Sequence, residues 1–194
     1  RASFIADGGL STMFYYNSDK VTLYEEDVVY TNEVRDIYHY KVFFNDPNIA
    51  QRKDTIFVNF FEAHLKAGSD ASDQTERNNA AKKLIQYVDN NTNGYNVFGG
   101  DFNVYSDQEA AYQSLCYSGK YDFNDPINRE GSWSANASFK DVHTQSTRAS
   151  GTSTMDCGAT GGMDDRFDFL LVSDSVLDVL SNVHYIANSY DAVG

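Results

Sequence analysis

The fold is decided by the stretch Tyr95-Asn96-Val97-Phe98-Gly99-Gly100-Asp101-Phe102-Asn103. Tyr95 to Phe98, following the Asn93-Gly94 turn, has the composition of a short buried strand. The five residues after that strand carry chemistry. Two glycines permit close backbone approach, and Phe102 packs inward so that Asp101 and Asn103, two residues apart, share the outward face. A carboxylate there binds a hard cation or accepts a proton from attacking water. The neutral amide orients phosphate or water without adding charge. The same residue types also stabilise a plain β-turn, so this pair needs company before it means a site.

On the N-terminal side, Asp73 with Glu76 matches a capping box, and Ala80, Ala81, Leu84, Ile85 and Val88 recur at helical spacing, predicting a helix over about 73–89. Ahead of it, Thr55 to Phe61 reads as a strand buried on both faces. Thr12 to Tyr16, Val21 to Tyr30 and Ile37 to Phe44 read as three strands of an antiparallel meander. On the C-terminal side, Ser106 with Glu109 predicts a second capped helix towards Leu115. The stretch 131–162, rich in Ser, Thr, Ala and Gly, predicts a long surface excursion with one strand at Phe139 to His143. Phe167 to Val172 is a further buried strand, followed by a turn or short helix over 173–180 and a last strand at Asn182 to Ala187. Strands dominate with helices between some of them, so the class is α/β or α+β.

Two more clusters sit at strand ends. In Phe60-Phe61-Glu62-Ala63-His64-Leu65 a strand delivers His64 to a rim, where an imidazole suits phosphate contact or proton transfer near neutral pH; alone it reads equally as a structural histidine. In Arg166-Phe167-Asp168-Phe169-Leu170-Leu171-Val172, a cation and a carboxylate lie two apart on one side of a strand. They form either a surface ion pair or a functional pair. A partly buried Asp168 would need a partner such as an imidazolium or an arginine.

Composition narrows the classes. The 194 residues, 41% hydrophobic with 14 Tyr, 13 Phe and 1 Trp, suffice for one domain with a sizeable core. With 15 basic against 28 acidic side chains, the charge of -13 is opposite to that of a protein holding nucleic acid by basic patches alone, so a polyanionic substrate would need a metal ion. No apolar run approaches the ~18 residues of a membrane span. Cys116 and Cys157 permit one disulfide, and richness in Asn, Ser, Thr and Tyr with few Lys fits a secreted, periplasmic or extracellular protein. Asn90-Asn91-Thr92 and Asn136-Ala137-Ser138 match glycosylation sequons.

The three clusters, in this order over about 55–173, resemble the endonuclease/exonuclease/phosphatase superfamily, which includes deoxyribonuclease I and bacterial sphingomyelinases. Gly100-Asp101-Phe102-Asn103 looks like its Gly-Asp-Phe-Asn signature, and Arg166-Phe167-Asp168-Phe169 is similar to its Arg-hydrophobic-Asp-aromatic strand. His64 falls where members carry a strand-end histidine. The resemblance implies two packed mixed β-sheets flanked by helices, a four-layer sandwich. It also implies metal-dependent phosphodiester hydrolysis, with Mg²⁺ or another divalent cation such as Mn²⁺ or Ca²⁺ at Asp101 and Asn103. In the implied roles Asp101 activates or orients water, Asn103 and His64 hold the phosphate together with Arg166, and Asp168 orients a catalytic histidine.

That histidine belongs to a Ser-Asp-His motif that these residues do not contain; His184, in Asn182-Val183-His184-Tyr185, does not match. The family's upstream Asn and metal-binding Glu have no counterpart either, and Glu25 and Glu26 are poor substitutes. The expectation is therefore a single incomplete domain over 1–194 that lacks N-terminal strands and a C-terminal segment. It would be inactive alone and prone to self-association through unpaired sheet edges. The expected substrate is a nucleic acid or a phospholipid head group. A sphingomyelinase-like enzyme and a non-catalytic binding module that keeps the fold are the alternatives.

Overall fold

In a computed structural model, residues 2, 12–31, 35–49, 51, 55–92, 94–149, 151 and 160–191 are described. They build one mixed six-stranded sheet. In chain order the elements are β1 (Val21–Thr31), β2 (Asp36–Phe44), β3 (Phe57–His64), α1 (Ala71–Asn91), β4 (Asn96–Asp101), α2 (Ala110–Tyr117), β5 (Phe123–Asn124), β6 (Asp168–Ser173) and α3 (Asp174–Leu177). The strands lie in the order β1-β2-β3-β4-β6-β5, with β3 and β4 parallel and the other neighbours antiparallel. Parallel neighbours need a crossover, and α1 supplies it.

The α1 stripe packs as its spacing predicts: Ala80, Ala81, Leu84, Ile85 and Val88 are all buried. They meet Phe61 and Ala63 of β3, Phe98 of β4, Phe169 and Leu171 of β6, and Tyr112 and Leu115 of α2, so both helices cover the same sheet face. The rings there form a continuous run, with Phe98 to Phe102 at 4.3 Å, Phe102 to Phe169 at 5.2 Å and Trp133 to Phe169 at 5.2 Å between centroids. Trp133 is fully buried and its indole N–H donates to Arg129 O at 2.7 Å. Alternate residues of the same strands, Val58, Phe60, Val97, Leu170 and Val172, face the other way. There they line an apolar groove of about 490 Å³ with Phe14, Tyr15 and Tyr16. The second sheet implied by the resemblance is not formed by the described residues.

Several local expectations are corrected. Thr12–Tyr16 is not a strand but lies across the groove face, Phe14 stacking on Tyr40 at 4.9 Å. α1 starts at Ala71 rather than near 73 because Asp70, with extended backbone, is its cap, and Asp73 Oδ2 accepts from Asp70 N at 3.3 Å. Glu109 caps α2 from outside the helix, its carboxylate drawn to Arg77. Phe139–His143 is no strand: a single 3-10 turn spans Ala137–Phe139, stabilised by Asn136 Oδ1 accepting from Ser138 N at 3.1 Å. Nor is Asn182–Ala187, which runs as bends and turns. Within the expected 131–162 excursion, the described residues 131–149 pack on the core: Trp133, Val142 and His143 are buried and both His143 ring nitrogens lie 3.0 Å from carbonyl oxygens, those of Met163 and Trp133. Cys116 is a free, buried thiol, and Cys157 and Asn93 lie outside the described residues. No described helix is long and apolar enough to cross a membrane.

Candidate active site

Strand register places the candidate residues. His64 ends β3 opposite Asp101, which ends β4, and Asp101 is opposite Asp168, which begins β6. The three therefore form one cross-strand row on the face away from the helices, with adjacent backbones ~4.8 Å apart. His64 Nε2 lies 3.3 Å from Asp101 Oδ2, and both side chains are about one third exposed, at 32% and 31%. The approach of β4 to β3 depends on Gly100, whose φ is +133° and where any Cβ would run into Ala63 O.

Asn103 lies just past the strand in the left-handed region, φ 52°. Its backbone N–H donates to Asp101 Oδ1 at 3.0 Å and its Nδ2 to Leu65 O at 3.1 Å, which ties the end of β4 to the turn after His64. Phe102 between them is fully buried, as the alternation predicts. Thus His64, Asp101 and Asp168 share one rim of the sheet with Asn103 at its end, but Asn103 is buried rather than on the outward face that alternation assigns it.

Two further expectations fail. Arg166 is not at the rim: it precedes β6, is fully buried, and grips Asp125 through both terminal nitrogens, at 2.7 Å and 3.1 Å, with its guanidinium 4.3 Å from the Phe169 ring centre. It contacts no substrate there; its role is to fix β6 from behind. Asp168 is exposed rather than half-buried and so needs no buried counter-ion; its backbone N–H donates to Thr144 Oγ1 at 2.9 Å. Glu25, in mid β1, lies 3.7 Å from Lys41 rather than near the rim.

The electrostatics set two groups in opposition. Burial first, then the negative charge of Asp168, pushes Asp101 up to about 6, against hydrogen bonds from Asn103 and the charge of Arg35. Burial, then Arg35, lowers His64 below its ordinary value, against Asp168. Neither Arg35 nor Thr144 stands out in the sequence. Arg35 lies immediately ahead of the first residue of β2, and only the β2–β3 pairing brings its charge to the site. Thr144 is hidden by the Ser/Thr-rich composition of the excursion around it.

Among the described residues no group of three or more His, Cys, Asp or Glu is placed to hold a metal. The donors there nevertheless have the hardness a small divalent cation prefers: the Asp101 carboxylate, whose proton affinity is raised by burial and then by the charge of Asp168, and the amide oxygen of the buried Asn103. Mg²⁺ commonly takes one or two carboxylates and completes its shell with water and substrate phosphate, so these residues fit it as a partial site.

No protein-family model matches the chain, and no curated protein matches it in sequence. Solved structures do. TDP2 from D. rerio, complexed with a single-strand DNA product, is 16% identical with a TM-score of 0.50, over 79% of this chain and 54% of that one. A mannosyl-6-phosphatase from Bacteroides thetaiotaomicron is also 16% identical with a TM-score of 0.50, over 82% and 55%. An endonuclease/exonuclease/phosphatase family protein from the same organism is 17% identical with a TM-score of 0.48, over 82% and 53%. The chain spans about half the length of the structures it matches. The described residues thus share, in part, the fold of the TDP2 and mannosyl-6-phosphatase structures.

Proposed function

We propose that these residues are part of a metal-dependent phosphodiester hydrolase, an exported nuclease or a related phosphodiesterase. The observation that carries this reading is the cross-strand row His64, Asp101 and Asp168 with Asn103 beside it. Asp101, held up to about 6, is ionised at neutral pH yet basic enough to take a proton from water. His64, neutral by virtue of its lowered midpoint, offers one N–H to a phosphate oxygen. Asn103 orients the phosphate through a side chain already anchored at Leu65. Mg²⁺, when bound, would stabilise negative charge on the phosphate oxygens. Asp168 orients a histidine that the 194 residues do not themselves provide, so they are expected to be inactive when assayed alone.

Nucleic acid is the favoured substrate. A charge of -13 makes a cation necessary for a polyanion, and the fold is shared with a protein whose structure holds a DNA product. The test is to assay the polypeptide that contains these residues on supercoiled plasmid DNA and on sphingomyelin, with Mg²⁺ and with chelator. Plasmid nicking that needs Mg²⁺ and falls by about 10²-fold or more in Asp101→Asn supports a nuclease. Cleavage of sphingomyelin alone moves the substrate to phospholipid head groups. Turnover of neither would sink the enzyme reading and leave a non-catalytic binding module.

A further inference from the structure

Two loops flank the cross-strand row, 65–70 after β3 and 102–109, which carries Asn103, after β4. Sheet pairing ends between them at Leu65 N to Asp101 O, 2.8 Å. Beyond that point Asn103 Nδ2 reaches Leu65 O, and a second tie lies on the helix side. Arg77, fully buried on α1, donates from Nη1 to both Lys66 O and Gly68 O at 2.7 Å, and from Nε to Glu109 Oε1 at 2.6 Å. The other oxygen of Glu109 accepts from Tyr105 N at 3.4 Å. The bonds therefore close a ring: Asn103 to Leu65, along the chain to Lys66, through Arg77 and Glu109 to Tyr105, and back along the chain to Asn103.

We infer that the Arg77–Glu109 ion pair is a positioning device for the phosphate site, holding the loop after His64 and the loop of Asn103 at a fixed separation. This rests on the phosphoester reading above. Stability alone does not explain the pair. Arg77 shares the α1 stripe of Ala80, Ala81 and Leu84, where an apolar side chain would pack, and a buried ion pair commonly gains little or nothing over well-packed apolar residues. What an apolar residue could not do is donate to two carbonyls in a turn whose Gly68 has φ +109° while fixing a carboxylate on the neighbouring loop. Neither Arg77 nor Glu109 touches the rim, so both act through Leu65, Asn103 and Tyr105.

The test compares wild type with Arg77→Met/Glu109→Leu, which removes both charges together, and with Glu109→Gln. Thermal unfolding reports the fold. NMR tracks the Asn103 side-chain amide and the His64 ring signals at fixed pH, and inorganic phosphate with Mg²⁺ is the ligand probe. The expected result is a folded double variant in which the Asn103 amide signals move to solvent-averaged positions and the His64 ring signals shift with the loop that follows it. Phosphate affinity falls by about tenfold. A folded variant with Asn103, His64 and phosphate affinity all as in wild type would overturn the inference. So would failure of both variants to fold, which would make the pair a requirement of the fold itself. Wild type that ignores phosphate, while the variant still displaces the Asn103 and His64 signals, would remove the phosphoester reading and leave the positioning intact.

Discussion

Replacing Asp168 by Asn removes the charge that, after burial, does most to hold Asp101 up. The Asp101 carboxyl carbon, observed by NMR, is then expected to titrate clearly below its wild-type midpoint of about 6; an unchanged midpoint would leave burial as the sole cause. A carboxyl whose folded midpoint is raised holds its proton more tightly than the unfolded chain does, so its contribution to stability is present in acid and is lost as pH rises through about 6. His64, with a lowered midpoint, opposes it: the unfolded chain protonates first, and stability falls as pH drops through the ordinary histidine value. If Asp101 takes a proton from water, hydrolysis by an active polypeptide that contains these residues should rise through pH about 6 and level off above it. Among the candidate site residues legible in the sequence, Arg166 departs from its expected place for a definite reason. Alternation puts Arg166 and Asp168 on one face only if the strand spans both, whereas β6 begins at Asp168 and the arginine turns inward to Asp125, 41 residues upstream.

At the scale of elements, Gly100 and Leu84 separate two kinds of dependence. Gly100→Ala forces a Cβ against Ala63 O at φ +133° and should destabilise the chain by about 3 kcal/mol or more, with loss of the His64–Asp101 alignment, in denaturant titrations. Leu84→Ala opens a cavity under the sheet and should cost about 2–5 kcal/mol while leaving the Asn103 amide signals in place. An equal loss of site signals in both would show that the rim and the helix layer melt as one. α1, β2, β3, β4 and β6 are legible in the sequence because each repeats apolar residues at a period its neighbours then bury. Phe139–His143 is not, since its β-formers are overridden by local side-chain bonds: Asn136 caps the turn and Arg129 donates to Ser138 O at 2.8 Å. The start of α1 is ambiguous from residues alone because two acidic side chains, Asp70 and Asp73, are available as caps and the backbone, not the spacing, chooses between them.

At the scale of the molecule, charge and apolar surface pull apart. The chain carries -13, yet the groove face presents the half-buried Phe60 and Val97 together with Leu170, 40% exposed, and Tyr15, 73% exposed. Among the described residues β1 also stands at the sheet edge without an outer neighbour. We propose that the 194 residues self-associate through this face and edge. Light scattering after size exclusion should give a mass above one chain, and Leu170→Glu should return it to a monomer; a monomeric wild type at all concentrations would sink the proposal. Trp133 has a consequence of a different kind. It is the chain's single tryptophan, packed behind β6 against Tyr112 and Phe169 and bonded through its own carbonyl to His143. Indole emission, excited at wavelengths tyrosine does not absorb, therefore comes from one address, and its shift to longer wavelength under mild denaturant would time the moment at which residues 131–149 peel from the core.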